Sequence, residues 1–388
     1  MIRMLHKILV SVDKNSKSEA YAVLIQMIDW SQAFDRQSHT LGVKSFIRNG
    51  VRSSLIPVLI SFFKNRQMKV KRNGKVSSIR NLNGGGPQGG LMGILEYLSQ
   101  SNNNTDFIPV QEKFKFIDDL STLEIINLIS VGLSCYNSQH HIPSDIAVHS
   151  QFVPAVNLKS QKYLNCLSEW TQENQMKLNK PKSKYMIINF TSDYQFNTRL
   201  ELEGEILEEV KETRLLGLTL SSNLKWHSNT EAIVKNAYKR MLILHNLVKF
   251  TLPTEELIQI YILYIRSVLE NCAVVWHSSL TRGEELELER VQKTALKVIL
   301  KENYRNYEEA LFETNLKTLK ERREHLCRNF AKKCVKTGSS SDLFPLNPCP
   351  VNSRNHEKYL VTSAKTSRLA KSAVPYMQKI LNEAKLSQ

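Results

Sequence analysis

Acidic residues are scarce in this chain. Across 388 residues, 37 Asp and Glu stand against 53 Lys and Arg, a formal net charge of +16. A deficit of that size favours an acidic partner, and the phosphates of nucleic acid are the usual counterpart of a basic protein. Half of the excess lies in residues 321–388, with thirteen Lys/Arg against five Asp/Glu. Paired cysteines are lacking too. Cys135, Cys166, Cys272, Cys327, Cys334 and Cys349 contain no C-x-x-C spacing, which argues against a zinc site and for reduced intracellular thiols. His140–His141 sits in a polar stretch and reads as a surface loop. No apolar run reaches about 18 residues, so no membrane span is expected. The N-terminal MIRMLHKILVSVDKNSKSEA has a short apolar patch but no small-residue cleavage site, which argues against a signal peptide. Internal repeats and extended low-complexity tracts are absent as well.

What remains is a globular chain, 41% hydrophobic, long enough for two or three domains with a sizeable core. Residues 1–12 read as an apolar helix and YAVLIQMIDW (21–30) as a buried strand. A helical pattern covers 36–65, and Asn73-Gly74 between alternating runs is a strong hairpin signal. GGGPQGG (84–90) is a loop followed by a helix-like LMGILEYLSQ, and FKFIDD is a second buried strand leading into LEIINLISVGL. An amphipathic helix over 156–180, a strand YMIINF, short strands within 201–220 and a mostly helical remainder from about 228 complete the outline.

Two of these strands end in acids. Asp29 closes YAVLIQMI, and Asp118–Asp119 close FKFI. Asp is disfavoured in strands, and neighbouring carboxylates repel. If the two strands are sheet neighbours, the three acids converge at one rim. Divalent cations would then neutralise them, and hard oxygen ligands suit magnesium. Two such ions about 3.5–4 Å apart serve phosphoryl transfer. Each acid taken singly is equally an ordinary strand-end or turn residue.

In chain order, IDWSQAFD (28–35), GGGPQGG (84–90), FIDD (116–119), KLNKPKSK (177–184) and RLLGLTL (214–220) resemble the motifs of the reverse transcriptase of non-LTR, LINE-type retrotransposons. Fifty-nine residues separate Asp29 from Gln88 and thirty separate Gln88 from Asp118. The likeness covers about residues 10–225. The downstream YIRSVLENCAVVWHSSL and LERVQKTALKVIL are similar to the corresponding region of such elements.

The resemblance implies an α+β fold: a right-hand polymerase palm, an antiparallel sheet backed by helices, then an all-helical thumb and C-terminal region. The implied domains are a remnant of the fingers (1–18), the palm (19–227, with partial fingers elements at 36–80), the thumb (228–300) and a basic helical segment (301–388) with a linker at 339–353. It also implies an RNA-directed DNA polymerase using two Mg2+ ions, an RNA template, a DNA primer and deoxynucleoside triphosphates. No membrane partner is expected, oligomeric state is left open, and action is expected inside the cell, in the nucleus.

By motif position, Asp29, Asp118 and the less critical Asp119 would bind metal, joined by the Trp30 carbonyl. Phe34 would lie beneath the incoming sugar, or simply pack in the core. Gln88 and Gly89 would contact the nucleotide. Lys182 would protonate the leaving pyrophosphate, with Lys184 as its competitor. Leu216 and Gly217 would form the primer-gripping turn, and Lys235 and Lys239 would meet backbone phosphates, unless they are a solvated helix face. Trp226 and His227 would pack beside the thumb. Only 28 residues precede Asp29, fewer than the family's fingers region requires, and PQGGLMGILEY departs from the commoner PQGS-x-LGP form. The rival expectation is a catalytically inactive remnant that binds nucleic acid through its basic surface.

Overall fold

The computed structural model describes residues 1–14, 21–86, 90–128, 149–152, 158–190, 194–250, 252–348 and 358–383. His140–His141, the end of LEIINLISVGL and the linker's last residues, 349–353, lie outside the described residues. The chain forms two compact units. One is Ala20–Val210, and the other joins Met1–Glu19 to Lys211–Gln388. The division falls at 210 rather than at the expected 227.

The first unit is built on β1 (Tyr21–Ile28). Its apolar run reflects burial on both faces, since Ala22, Val23, Leu24 and Ile25 are all fully buried. On one side it pairs antiparallel with β7 (Asp119–Asn127), with Ile28 opposite Leu120 and Tyr21 opposite Asn127. On the other it pairs antiparallel with β9 (Lys184–Asn189). β6 (Lys113–Phe116) and β13 (Glu208–Glu209) are the edges, giving the order β13-β9-β1-β7-β6. Every pairing in this sheet is antiparallel except the short β13–β9 edge, which is parallel.

The expectation for FKFIDD needs correction. It is not one buried strand but a hairpin, in which Phe116 pairs with Asp119 across the turn Ile117–Asp118. Phe116 is 60% exposed on the edge strand. The interior strand is the one that begins at Asp119, DLSTLEIIN, and this is the neighbour of β1.

Helix α5 (Lys159–Glu173) covers one face of the sheet, packing Leu164, Leu167 and Trp170 with Leu24, Ile28, Leu120 and Tyr185 in one core. Its N-cap, Leu158, has no side chain able to accept a hydrogen bond. Glu124 of β7 fills that role: its carboxylate accepts from the Lys159 and Ser160 amides at 3.1 and 2.8 Å. Gln26, fully buried in β1, donates to the Ser160 carbonyl and accepts from Thr122, tying sheet to helix again.

Before the acids of β7 come α2 (His39–Arg48), α3 (Ile56–Phe63) and α4 (Leu91–Gln100), with α2 packed on both others. Between α3 and α4 a nested hairpin projects, β2 (Gln67–Met68) with β5 (Arg80–Asn81) and β3 (Lys71–Arg72) with β4 (Lys75–Val76). Asn73 and Gly74 both adopt positive φ, as the expected hairpin turn requires.

In the second unit, α1 (Ile2–Lys14), placed with the fingers by the sequence, packs against the helical turn Ser367–Ala370 and α10 (Ala373–Glu383). The hairpin of β14 (Glu212–Leu215) and β15 (Leu218–Ser221) packs on α6 (His227–Leu247). α6 in turn packs on α8 (Arg282–Leu300), and α9 (Leu319–Thr337) on α10. The helical stretch Thr254–Ser279 is long and apolar enough to cross a membrane by length and composition. Its Leu257, Tyr261, Ile265 and Leu269 recur every four residues and are buried in this unit, and the Tyr261 hydroxyl donates to Gln292. The described part of the expected linker is packed, with Leu343 and Phe344 buried in the core of α9 and α10.

One buried acid in the first unit sets a pH dependence. Glu96 of α4 is fully buried, and neither carboxylate oxygen has a hydrogen-bond partner. Gly42 of α2 leaves it room, since a Cβ there would lie 2.8 Å from Oε1. Burial pushes the Glu96 carboxyl up to about 7, against the pull of the Arg66 charge. The folded chain thus keeps a proton that the unfolded chain releases near pH 4.5. Its contribution is most favourable below that pH and is lost as pH rises to about 7. Glu96→Gln is expected to remove this slope and to stabilise the protein at pH 8 by on the order of 2–3 kcal/mol, measured by urea unfolding across pH.

Candidate active site

Antiparallel pairing of β1 and β7 brings the C-terminal end of one to the N-terminal end of the other. Asp29 follows Ile28 directly, and Asp119 precedes its partner Leu120, so the acids meet at one rim of the sheet. Asp29 is half-buried, whereas Asp118 and Asp119 are exposed. Burial raises the carboxyls of both Asp29 and Asp119 above the ordinary range. The Asp118 charge raises both further, and Asp29 adds to the shift at Asp119.

The turn between β6 and β7 is strained. Ile117 takes φ +56° while Asp118 does not, a type II′ signature in which glycine is the usual occupant. A β-branched residue there costs on the order of 1–3 kcal/mol, and such strain concentrates at functional sites. It sets Asp118 at the tip of the hairpin.

Asp29 is held by the KLNKPKSK segment. Its amide donates to the hydroxyl of fully buried Ser183 at 3.1 Å, and its carbonyl accepts from the Asn179 amide at 2.8 Å. The Asn179 side chain also donates to the Asp29 carboxylate, and the Lys182 charge lies close enough to lower its titration. The Ser31 amide closes the clamp on the Lys177 carbonyl at 2.8 Å. Sequence reasoning used this segment for its lysines and missed Asn179 and Ser183. Their signal was an Asn and a Ser, both able to bond a neighbouring backbone, flanking Pro181 and Lys182.

The structure also separates the two candidate lysines, Lys182 and Lys184. Lys184 pairs with Glu208 at 2.9 Å, and Lys180 pairs with Glu203 and Glu205 at 3.3 and 3.0 Å. Lys182 is exposed and is the lysine whose charge acts on Asp29.

Phe34 is half-buried and packs on Tyr97 of α4, with ring centroids 5.0 Å apart. Tyr97 is another residue the sequence did not single out. It is 1% exposed, and burial drives its hydroxyl titration well upward, with further contributions from Asp118, Asp119 and Asp29. The three acids and Tyr97 therefore share one neighbourhood. The first half of the glycine-rich loop docks beside it, with the Gly85 and Gly86 amides donating to the Gln37 and Phe34 carbonyls at 2.7 Å. Glycine is required here by close approach, since a Cβ at Gly86 would lie 2.2 Å from Gln37 Oε1. Gln88 and Gly89 lie outside the described residues.

Trp30 is buried and packs edge-to-face on Trp170, and its backbone bridges to Leu178. Leu216 and Gly217 belong to the other compact unit. There they form the two-residue turn of the β14–β15 hairpin, both at positive φ, as a type I′ turn demands. Lys235 and Lys239 are exposed, four residues apart on α6. Trp226 is buried and His227 exposed at the start of that helix.

Among the described residues no three His, Cys, Asp or Glu side chains are gathered into a ready-made metal cage. The donor chemistry nonetheless fits a hard divalent cation, because Asp29, Asp118 and Asp119 offer only carboxylate oxygens whose charges disfavour one another. Magnesium is commonly held by one or two carboxylates with substrate phosphates and water completing the octahedron, so a closed protein cage is not required.

No family model matches the chain. A probable RNA-directed DNA polymerase from transposon BS of Drosophila melanogaster is 26% identical to it over 216 residues, covering 55% of this chain and 22% of that protein. Over that stretch the chain is reverse transcriptase-like. It spans about a fifth of that relative's length. Among solved structures, apo telomerase from Candida tropicalis matches 76% of this chain and 44% of its own, at 13% identity and a TM-score of 0.36. Telomerase from the same organism in complex with a TWJ fragment of telomeric RNA matches 98% of this chain and 50% of its own, at 10% identity and a TM-score of 0.35. At these scores the likeness is slight.

The electrostatic grouping is testable without any activity. Asp118→Asn is expected to lower the Asp29 carboxyl titration, because it removes a repelling charge. Lys182→Ala and Asn179→Ala should each raise it, the first by removing a favourable charge and the second a hydrogen bond to the ionised form. Carboxyl-carbon NMR titration of Asp29 reads all three shifts, and an unchanged titration in every variant would contradict the grouping.

Proposed function

We propose that this chain is the catalytic palm and following helical region of a retrotransposon reverse transcriptase, copying RNA into DNA by adding deoxynucleotides to a primer 3′-hydroxyl. The observation that supports this most is the antiparallel register of β1 and β7, which brings Asp29 to the same rim of the sheet as Asp118 and Asp119. The reading also draws on the sequence match to a transposon polymerase. Because the chain spans only part of that relative, activity, substrates and partners all belong to the proposal. Action in the nucleus goes with it.

In this reading Asp29, Asp118 and Asp119, with the Trp30 carbonyl, would hold two magnesium ions. When bound, these ions activate the attacking hydroxyl and neutralise charge on the leaving group. A phosphodiester bond forms between the primer 3′-oxygen and the α-phosphorus of the nucleotide, and the bond from that phosphorus to the pyrophosphate breaks. Lys182, exposed beside Asp29, acts as the general acid toward the departing pyrophosphate. Asn179 and Ser183 hold Asp29 in place from behind. Phe34, braced by Tyr97, limits space at the sugar, and Gln88 and Gly89 contact the incoming nucleotide. Leu216 and Gly217 position the primer strand, and Lys235 and Lys239 meet template–primer phosphates.

Asp118→Ala is expected to reduce magnesium-dependent primer extension on an RNA template at least a hundred-fold while changing template–primer affinity less than about three-fold. Binding itself should weaken steeply between 50 and 200 mM salt. Full extension by Asp118→Ala would overturn the assignment. Salt-sensitive binding with no extension by the unaltered chain would instead select the inactive, nucleic-acid-binding reading.

A further inference from the structure

The nested hairpin of β2–β5 is used by no step of the proposed reaction. Every residue from Gln67 to Asn81 is exposed, and Met68, Val70, Val76 and Ile79 are each at least half so. A two-stranded ribbon without a covering layer is marginal in water. Polar bonds pin this one instead. The Val70 amide donates to the Ser77 hydroxyl and the Ser77 amide to the Val70 carbonyl, both at 2.9 Å. At the base, the Gln67 side-chain amide donates to Asn81 Oδ1 at 3.1 Å. The ribbon is thus preformed, and both of its faces are open.

Its charge is of one sign. Residues 36–95 contain eleven Lys and Arg and no Asp or Glu, and five of the eleven, Lys69, Lys71, Arg72, Lys75 and Arg80, lie on the ribbon. Among the described residues none of these five takes part in an ion pair. The charge is also on both faces. Cross-strand partners share a face and successive residues alternate. Arg72 and its partner Lys75 therefore lie on one face, and Lys71 and its partner Val76 on the other. Nearer the base, Met68 and Arg80 are partners on one face. A bilayer or a flat protein surface meets a single face, and burying either face of this tip would bury charge. A protein cleft with carboxylates on both walls would repel itself. Duplex DNA already carries one phosphate charge per roughly 1.7 Å, and its counterions are released when cations replace them. Its major groove, about 12 Å wide and walled by phosphates on both sides, admits a two-stranded ribbon.

We infer that this hairpin is a DNA-binding ribbon that enters the major groove of a duplex, with its cations on the phosphates of both walls and its exposed apolar side chains against the base edges. Thymine methyl groups offer apolar contact there. An A-form RNA duplex has a major groove too narrow for side chains to read, and a single strand has no second wall. The Asn73-Gly74 turn leads, and nothing lies within 4 Å of where a Cβ at Gly74 would stand. The inference stands apart from the polymerase reading, because it uses neither the three aspartates nor a metal ion.

The test is fluorescence anisotropy of the whole chain, in EDTA, with a twenty-base-pair DNA duplex, an RNA duplex of the same sequence and one DNA strand alone. Unaltered protein is compared with Lys71→Ala/Arg72→Ala/Lys75→Ala. The control is Lys332→Ala/Lys333→Ala/Lys336→Ala, which removes as many exposed charges from α9. Thermal unfolding checks both, and Arg72→Glu alone keeps the test valid if the hairpin variant fails to fold. The hairpin variant is expected to weaken DNA-duplex binding at least ten-fold and to reduce the slope of log affinity against log salt by about 2–3. The control should change that affinity less than three-fold, as should either variant on the RNA duplex and the single strand. DNA-duplex binding that the folded hairpin variant leaves unchanged overturns the inference. So does an equal loss on all three nucleic acids, or an equal loss from the control. Binding of the unaltered chain to phosphatidylserine vesicles but not to the duplex overturns it too. EDTA removes any part for metal at the aspartates, so failure here and failure of primer extension are told apart.

Discussion

The antiparallel register of β1 and β7 is the constraint on which the candidate site depends. A shift by one residue would turn every side chain of β1 to the opposite face and carry Asp29 out of step with the β6–β7 hairpin. That register is held by bulk rather than by the acids. Four consecutive β1 residues are buried to completion, and Gln26 is bonded to both Thr122 and Ser160. The rim can therefore carry three mutually repelling carboxylates, because the apolar sheet beneath them fixes where they stand.

Around that rim, unfavourable features are concentrated and then supported. Ile117 sits in the left-handed region to turn the hairpin, and Asp29 carries a charge that burial disfavours. The KLNKPKSK segment offsets the second cost by satisfying the Asp29 backbone on both sides and giving its carboxylate a donor and a nearby cation. A glycine-rich loop then lies close enough to the turn after Asp29 that a side chain at Gly86 would collide with Gln37. Charge, strain and close backbone approach thus meet in one place, as expected of a site whose function overrides local preference.

Much of this was legible beforehand, and for identifiable reasons. The apolar runs of β1 and β9, the Asn73-Gly74 turn and the three-four spacing of α6 and α8 are local signals, and the chain obeys them. The FKFIDD reading failed because a short apolar run cannot tell a central strand from an edge strand. Only pairing shows that β7, not β6, is the neighbour of β1. The 339–353 segment was misjudged in part because Ser and Pro mark turns without saying whether Leu343 and Phe344 between them are buried. Asn179, Ser183 and Tyr97 were passed over because their contribution is made through contacts more than sixty residues away in sequence.

The sequence by itself determined the net positive charge, the residue types at each motif and the strands and helices that carry them, since composition and periodicity act over a few residues. The tertiary structure decided that Asp29 and the Asp118–Asp119 pair share one rim, that Lys182 rather than Lys184 acts on Asp29, and that the chain divides at 210. It also decided that α1 joins the C-terminal helices. Each of these depends on which distant segments pack together, and packing is settled by the burial of whole faces, which no short stretch of sequence specifies.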